Sequence, residues 1–296
     1  MPAGLFAFVA AAALAWWLTP RLARVAAARG LVARPSPRGV HRRPTPVSGG
    51  ATIGVATALV LAAIGSRAQL PIWIVVPSLL VALLGTLDDV LALGWAPKLA
   101  LELAIALLAL WLAGYRSVDA RSIAALAWLV LVTNAMNLID NMDGLAAGTA
   151  AIAMLALAAI AAETGAGSIG VLALAVAGAC AGFFWPNFSR GAAFLGDCGS
   201  LLLGFVAGAT SLSIADRAGS PAGRAALLAL GYPILDVVFV VARRCANRRS
   251  PVAGGTDHTS HALAARLGTT RAAVVCWLAV SSVIASAAVS VAVVGS

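Results

Sequence analysis

Six aspartates, three histidines and a single lysine carry most of the chemistry this sequence offers. Asp88 and Asp89 are adjacent, and Lys98 lies nine residues beyond Asp89. Asn134, Asn137, Asp140, Asn141 and Asp143 crowd one stretch that closes at Gly144. Asp197 stands between Gly196 and Cys198-Gly199-Ser200, and Asp257, His258 and His261 come last. The first such stretch runs from Arg38 to Gly50 and contains His41, Arg42 and Arg43 among prolines and glycines. Carboxylates bind a hard cation such as Mg²⁺, whereas Arg and Lys bind phosphate. Both together describe a metal–phosphate site.

The spacing sharpens that chemistry. Two adjacent carboxylates repel, so one stays protonated unless a cation neutralises the pair. Asn supplies donors and acceptors together, as the edge of a base or sugar requires. On a continuous helix Asn134, Asn137 and Asn141 would share a face of ~60°. Glycines beside Asp197 let the backbone approach a ligand, and a helix starting there would favour an anion. His258 and His261 have no third soft ligand at zinc spacing, so phosphate contact is the preferred reading. Plainer readings stand beside these. Asp88-Asp89 would serve as a surface pair at a helix end, Gly144 as a helix cap, Asp197 as a helix start, and the arginines as a topology signal. What weighs against them is that all these groups gather in loops on one side of the chain's apolar segments.

Those segments define the fold class. Of 296 residues 61% are hydrophobic and 10% charged, and the mean hydropathy is +0.98. An ordinary soluble domain is about a quarter charged, so a soluble enzyme, a disordered chain and a disulfide scaffold are excluded. Ten apolar runs lie near 4–18, 49–65, 71–86, 99–114, 120–136, 145–162, 168–184, 199–215, 223–242 and 273–294. They predict an all-α polytopic membrane protein of about ten transmembrane helices, a single domain over 1–296, with short loops. Trp16-Trp17 and the arginines after the first run favour a retained helix over a signal peptide. Its N-terminus is then outside, and so is the C-terminus. Fifteen of the twenty basic residues then fall in cytoplasmic loops, as the positive-inside rule requires. The net charge of +9 is therefore assigned to topology and not to nucleic acid. The four cysteines have no paired spacing and read as free thiols. Only Glu102 and Asp236 lie within spans.

Taken in order, the segments from about Arg38 to Gly268 resemble the polyprenyl-phosphate N-acetylhexosamine-1-phosphate transferases, glycosyltransferase family 4. The resemblance implies ten helices and a cytoplasmic active site in the bacterial inner membrane. It implies transfer of a sugar-1-phosphate from a UDP-sugar to polyprenyl phosphate with release of UMP, the first membrane step of cell-envelope polysaccharide synthesis. The cofactor would be Mg²⁺, or Mn²⁺ in its place, and the family admits a homodimer. By resemblance Asp88 and Asp89 match the pair assigned to the metal or to deprotonating the carrier phosphate, and Lys98 the basic residue after it. Asn134, Asn137, Asp140 and Asp143 match the nucleotide- and metal-contacting segment. Asp197 matches the Mg²⁺-ligating aspartate, and His258 and His261 the last-loop histidines. His41, Arg42 and Arg43 would contribute to the substrate phosphates. The stretch Gly255-Thr256-Asp257-His258-Thr259-Ser260-His261 lacks the consecutive histidines of the muramoyl-pentapeptide transferases. This favours the WecA-type branch, with the pentapeptide branch as the alternative.

Two rivals remain at this level. A secondary transporter predicts charge deep in the membrane, which only Glu102 and Asp236 supply. A CDP-alcohol phosphatidyltransferase needs an Asp-Gly-x-x-Ala-Arg element that Asp143-Gly144 and its followers do not meet.

Overall fold

A computed structural model describes residues 2–33, 44–65, 70–218, 220–250 and 255–294. His41, Arg42 and Arg43, named above as phosphate contacts, lie outside the described residues. Each apolar run becomes helix, because apolar stretches without internal polar partners must satisfy every backbone group within themselves. The helices are α1 (Pro2–Ala28), α2 (Gly49–Ile64), α3 (Ile72–Leu91), α4 (Trp95–Leu112), α5 (Ala120–Ile139) and α6 (Leu145–Glu163). They continue with α7 (Gly167–Arg190), α8 (Gly196–Ala218), α9 (Ser220–Leu228), α10 (Gly231–Ala246), α11 (Thr259–Leu267) and α12 (Thr270–Val294). A two-residue antiparallel pair, β1 (Val32–Ala33) and β2 (Thr45–Pro46), is the only sheet among the described residues.

Among the described residues eight helices are long and apolar enough to cross a membrane, or nine if a bent pair is one span. The count therefore differs from the ten predicted in two places. The run at 223–242 is broken into α9 and α10, which meet at 60°. Pro233 explains the break, since it has no N–H to donate to the preceding turn. The run at 49–65 forms only the 16 residues of α2.

α6, α7 and α8 make the buried centre of the bundle, and α1, α4 and α12 present most of their surface outward. Leu5, Val9, Leu107 and Val283 are among the large apolar side chains left exposed there, as a lipid-facing surface requires. α3 packs along α8 and α5 along α8. This brings the C-terminal ends of α3 and α5 to the N-terminal end of α8. β2 secures the same region, because Phe194 donates its N–H to the Pro46 carbonyl and accepts from Ser48 and Gly49.

Candidate active site

α8 begins with Gly196-Asp197, and its first N–H groups need acceptors that a helix cannot supply to itself. They come from α3. Asp89 accepts the Asp197 N–H at 2.8 Å and the Cys198 N–H at 3.1 Å, one on each carboxylate oxygen. Asp89 thus fixes where α8 starts and how Asp197 is presented. Gly85, one turn earlier, lets α3 touch the α8 backbone, since a Cβ there would collide with the Asp197 carbonyl.

Asp88 points to the other side of the same helix end. It is buried, and its carboxylate accepts from the Leu93 N–H at 2.7 Å and pairs with Lys98 Nζ at 2.8 Å. Lys98 also reaches Asp197 Oδ2 at 3.0 Å. One ammonium therefore bridges two aspartates from helices more than a hundred residues apart in sequence. Asn137 Nδ2 donates to the second Asp197 oxygen at 2.5 Å and to Ser200 Oγ at 2.8 Å. Both amide hydrogens are spent, so the Asn137 carbonyl oxygen is left as an acceptor.

Asn134, one turn deeper, donates to Glu102 and to the Val130 carbonyl. Glu102 is 3% exposed, and its second oxygen has no partner. It lies one helical turn below Lys98 on α4. α5 ends at Ile139, so Asn141 leaves the shared helical face expected for it and donates to the Leu138 carbonyl instead. Asp140 caps α5. Burial, and then the carboxylates of Asp197, Asp143 and Asp89, hold its carboxyl well above the ordinary range. Folding then favours the neutral form. The stability this group contributes is full below the ordinary carboxylate range and is lost as pH rises through its folded value. Metal-free protein is expected to unfold at a lower temperature as pH is raised through that window. Asp140→Asn should flatten the dependence, and an unchanged pH profile in the variant would exclude this origin.

The histidines form a second group. His258 Nδ1 lies 2.8 Å from Asp236, which also accepts from the Thr259 N–H at 2.9 Å and from its hydroxyl at 2.6 Å. A carboxylate taking three donors holds the His258 proton on Nδ1 and leaves Nε2 for a ligand. The His261 ring is 6.1 Å away, and burial together with His258 pushes its pKa down, so it is neutral at pH 7. Ser260 donates to Asn141 at 2.7 Å, joining this loop to the segment after α5. Asp236→Asn keeps the shape but admits the wrong His258 tautomer. It is expected to lower kcat by about 10-fold or more with little change in expression. His258→Ala should abolish the difference between the Asp236 forms, and additive effects in that double variant would count against the coupling.

Asp88, Asp89, Lys98, Asn137 and Asp197 therefore share one hydrogen-bonded network, and the Asn134–Glu102 pair lies one turn below it, not bonded to it. His258 and His261 stand in the adjoining group, and Asp143 beside the turn at Gly191. Sequence reasoning missed the roles of Asp236 and Glu102, although both were marked as acids within spans. It also missed Asn187. This buried residue accepts the Gly144 N–H at 2.5 Å and donates to the Ala193 carbonyl at 2.8 Å. It ties the Asn-rich segment to the loop before Asp197, and no local signal identifies it.

Residues 71–215 match the profile described as "Glycosyl transferase family 4". A Bacillus subtilis protein called "Probable undecaprenyl-phosphate N-acetylglucosaminyl 1-phosphate transferase" is 30% identical over 271 residues, 84% of this chain and 74% of that protein. A Mycolicibacterium smegmatis "Decaprenyl-phosphate N-acetylglucosaminephosphotransferase" is 31% identical over 290 residues, 81% of this chain and 70% of its own. The chain belongs to glycosyl transferase family 4. A Moorella thermoacetica "Phospho-N-acetylmuramoyl-pentapeptide-transferase" is 42% identical, but over only 80 residues, 27% of this chain. This family 4 transferase is thus an enzyme of the WecA-type branch, built as a multi-pass membrane protein. Its two acids within the helices are both held by side chains of the site, Glu102 by Asn134 and Asp236 by His258.

The donor set also bears on a metal. Asp88 and Asp197 share one lysine, with Asp89 and Glu102 close by, so full ionisation of these carboxyls needs a further cation. Among the described residues no three His, Cys, Asp or Glu side chains enclose an ion by themselves. Mg²⁺ suits such a place. It takes one or two carboxylates and completes its shell with water and phosphate oxygens. Asp197, Asp88 and the Asn137 carbonyl would hold it.

Proposed function

We propose that this enzyme transfers N-acetylhexosamine-1-phosphate from a UDP-sugar to polyprenyl phosphate and releases UMP. The site would face the cytoplasm from the bacterial inner membrane. The observation that carries this reading is the Lys98 bridge between Asp88 and Asp197, built at one end of an apolar bundle. Relatives named for the same transfer to undecaprenyl or decaprenyl phosphate support it.

The acceptor phosphate oxygen attacks the phosphorus attached to the sugar. A new P–O bond forms as the bond to the UMP oxygen breaks. Two anions must meet, so the barrier is largely electrostatic. Lys98 is placed to offset charge on the reacting phosphates. When bound, Mg²⁺ would polarise phosphoryl oxygens and offset the charge on the leaving UMP. Asp89 holds α8, and with it Asp197, in register. The second pKa of a phosphate monoester is near 6, so the acceptor is mostly ionised already and a base at Asp88 adds little. His258 Nε2 is left to meet a polar group of the donor, while the Asn137 carbonyl oxygen is kept for the metal.

The test is purified protein with undecaprenyl phosphate and a panel of UDP-sugars, scored by UMP release. Release with a UDP-N-acetylhexosamine that depends on Mg²⁺ or Mn²⁺ and on both substrates is expected. No release from any member of the panel would overturn the reading.

A further inference from the structure

Away from the active site, α1 and α7 make the most extensive helix pair in the molecule. Small residues allow it. Gly178 and Gly182 lie against the Phe8 and Ala12 carbonyls, where any Cβ would collide. Ala7, Ala11 and Ala15 line the facing side of α1 and are fully buried. One turn further towards the active-site end the two helices part. Trp16, Trp17 and Pro20 of α1 and Trp185 and Pro186 of α7 stand between them, around a cavity of about 430 Å³. Arg21 and Arg190 also line it.

The lining has a definite chemistry. The indoles are 60%, 48% and 58% exposed for Trp16, Trp17 and Trp185, an amphipathic surface of the kind that sits at headgroup depth. Arg21 stacks over the Trp17 ring at 3.6 Å and donates to the Trp17 carbonyl, which sets the plane of its guanidinium. Arg190 forms no ion pair with any described residue, and no acid lines the cavity. Both cations stand beside exposed indoles, side chains that favour headgroup depth in a bilayer, so a lipid phosphate there would meet them.

We propose that this cavity binds the headgroup of an anionic phospholipid, its phosphate between Arg21 and Arg190 and its chains along Trp16 and Trp185. The site is separate from the transfer chemistry, and its occupancy does not depend on the reading of that chemistry.

Delipidated protein in detergent, reloaded with phosphatidylglycerol or phosphatidylcholine of matched chains, tests this by native mass spectrometry. Phosphatidylglycerol adducts should exceed phosphatidylcholine adducts by about fivefold or more, because both lipids offer a phosphate but the choline ammonium brings a third cation up to Arg21 and Arg190 with no acid to receive it. The double variant R21Q/R190Q should bring the preference to within about twofold while UMP release in detergent stays unchanged. Equal retention of the two lipids, or an undiminished preference in the double variant, would overturn the proposal. Displacement of phosphatidylglycerol by equimolar undecaprenyl phosphate would overturn it too, since the pocket would then be a station for the acceptor.

Discussion

Asp197→Asn is expected to lower UMP release about 10²- to 10³-fold, the scale of losing one aimed electrostatic contact. Asp197 is the one side chain joined to both halves of the network. Its Oδ2 meets Lys98, and its Oδ1 takes the Asn137 amide at 2.5 Å. Asparagine keeps the shape and removes the charge. Lys98 keeps Asp88 as a partner, so the fold survives and the thermal midpoint in detergent should move little. The metal titration should shift to higher concentration. Asp89→Asn should behave differently. Asparagine has one carbonyl oxygen where Asp89 uses two, so one N–H at the start of α8 loses its acceptor. Its effect should appear in thermal stability as well as in rate. A wild-type rate for Asp197→Asn would remove Asp197 from the mechanism.

Gly85→Ala tests the positioning without touching a polar group. The added Cβ would press on the Asp197 carbonyl and the Cys198 nitrogen, both backbone atoms that cannot rotate away. α3 and α8 must then separate near the point where Asp89 caps α8. Overpacking of this kind costs ~1–3 kcal/mol. A displacement approaching 1 Å at a reacting group costs about 10²-fold in rate. A fall in kcat of that size is expected with a modest loss of thermal midpoint, and Gly85→Val should be worse. Full activity in Gly85→Ala would show that α8 is not held to α3 this closely.

Much of this architecture was legible because a bilayer imposes a simple rule on composition. Apolar runs of about 20 residues become spans, and Arg-rich loops mark their sides. The site residues were legible because Asp, Asn and His are rare elsewhere in this chain. What escaped was pairing across long sequence separation. Asp236 reads as an acid in a helix until His258, 22 residues on, folds back onto it. Asp89 and Asp88 read as equals, yet one binds backbone N–H groups of α8 and the other binds Lys98. Asn187 is an unremarked amide at the end of α7, and only the folded chain shows that it joins two site segments. Breaks are hard to see for a related reason. Pro77 is accommodated within α3, whereas Pro233 coincides with the 60° bend between α9 and α10.

The length of α2 carries a consequence for the lipid around it. Its 16 residues span about 24 Å at 1.5 Å per residue, against roughly 30 Å of hydrocarbon. A helix this short that crosses the bilayer would draw it thinner by up to about 6 Å. Beside α2 the polar surface of the membrane would then dip towards the midplane. A dissolved sugar nucleotide and a membrane-tethered phosphate can then meet at one depth, with less of the tethered partner drawn out into water.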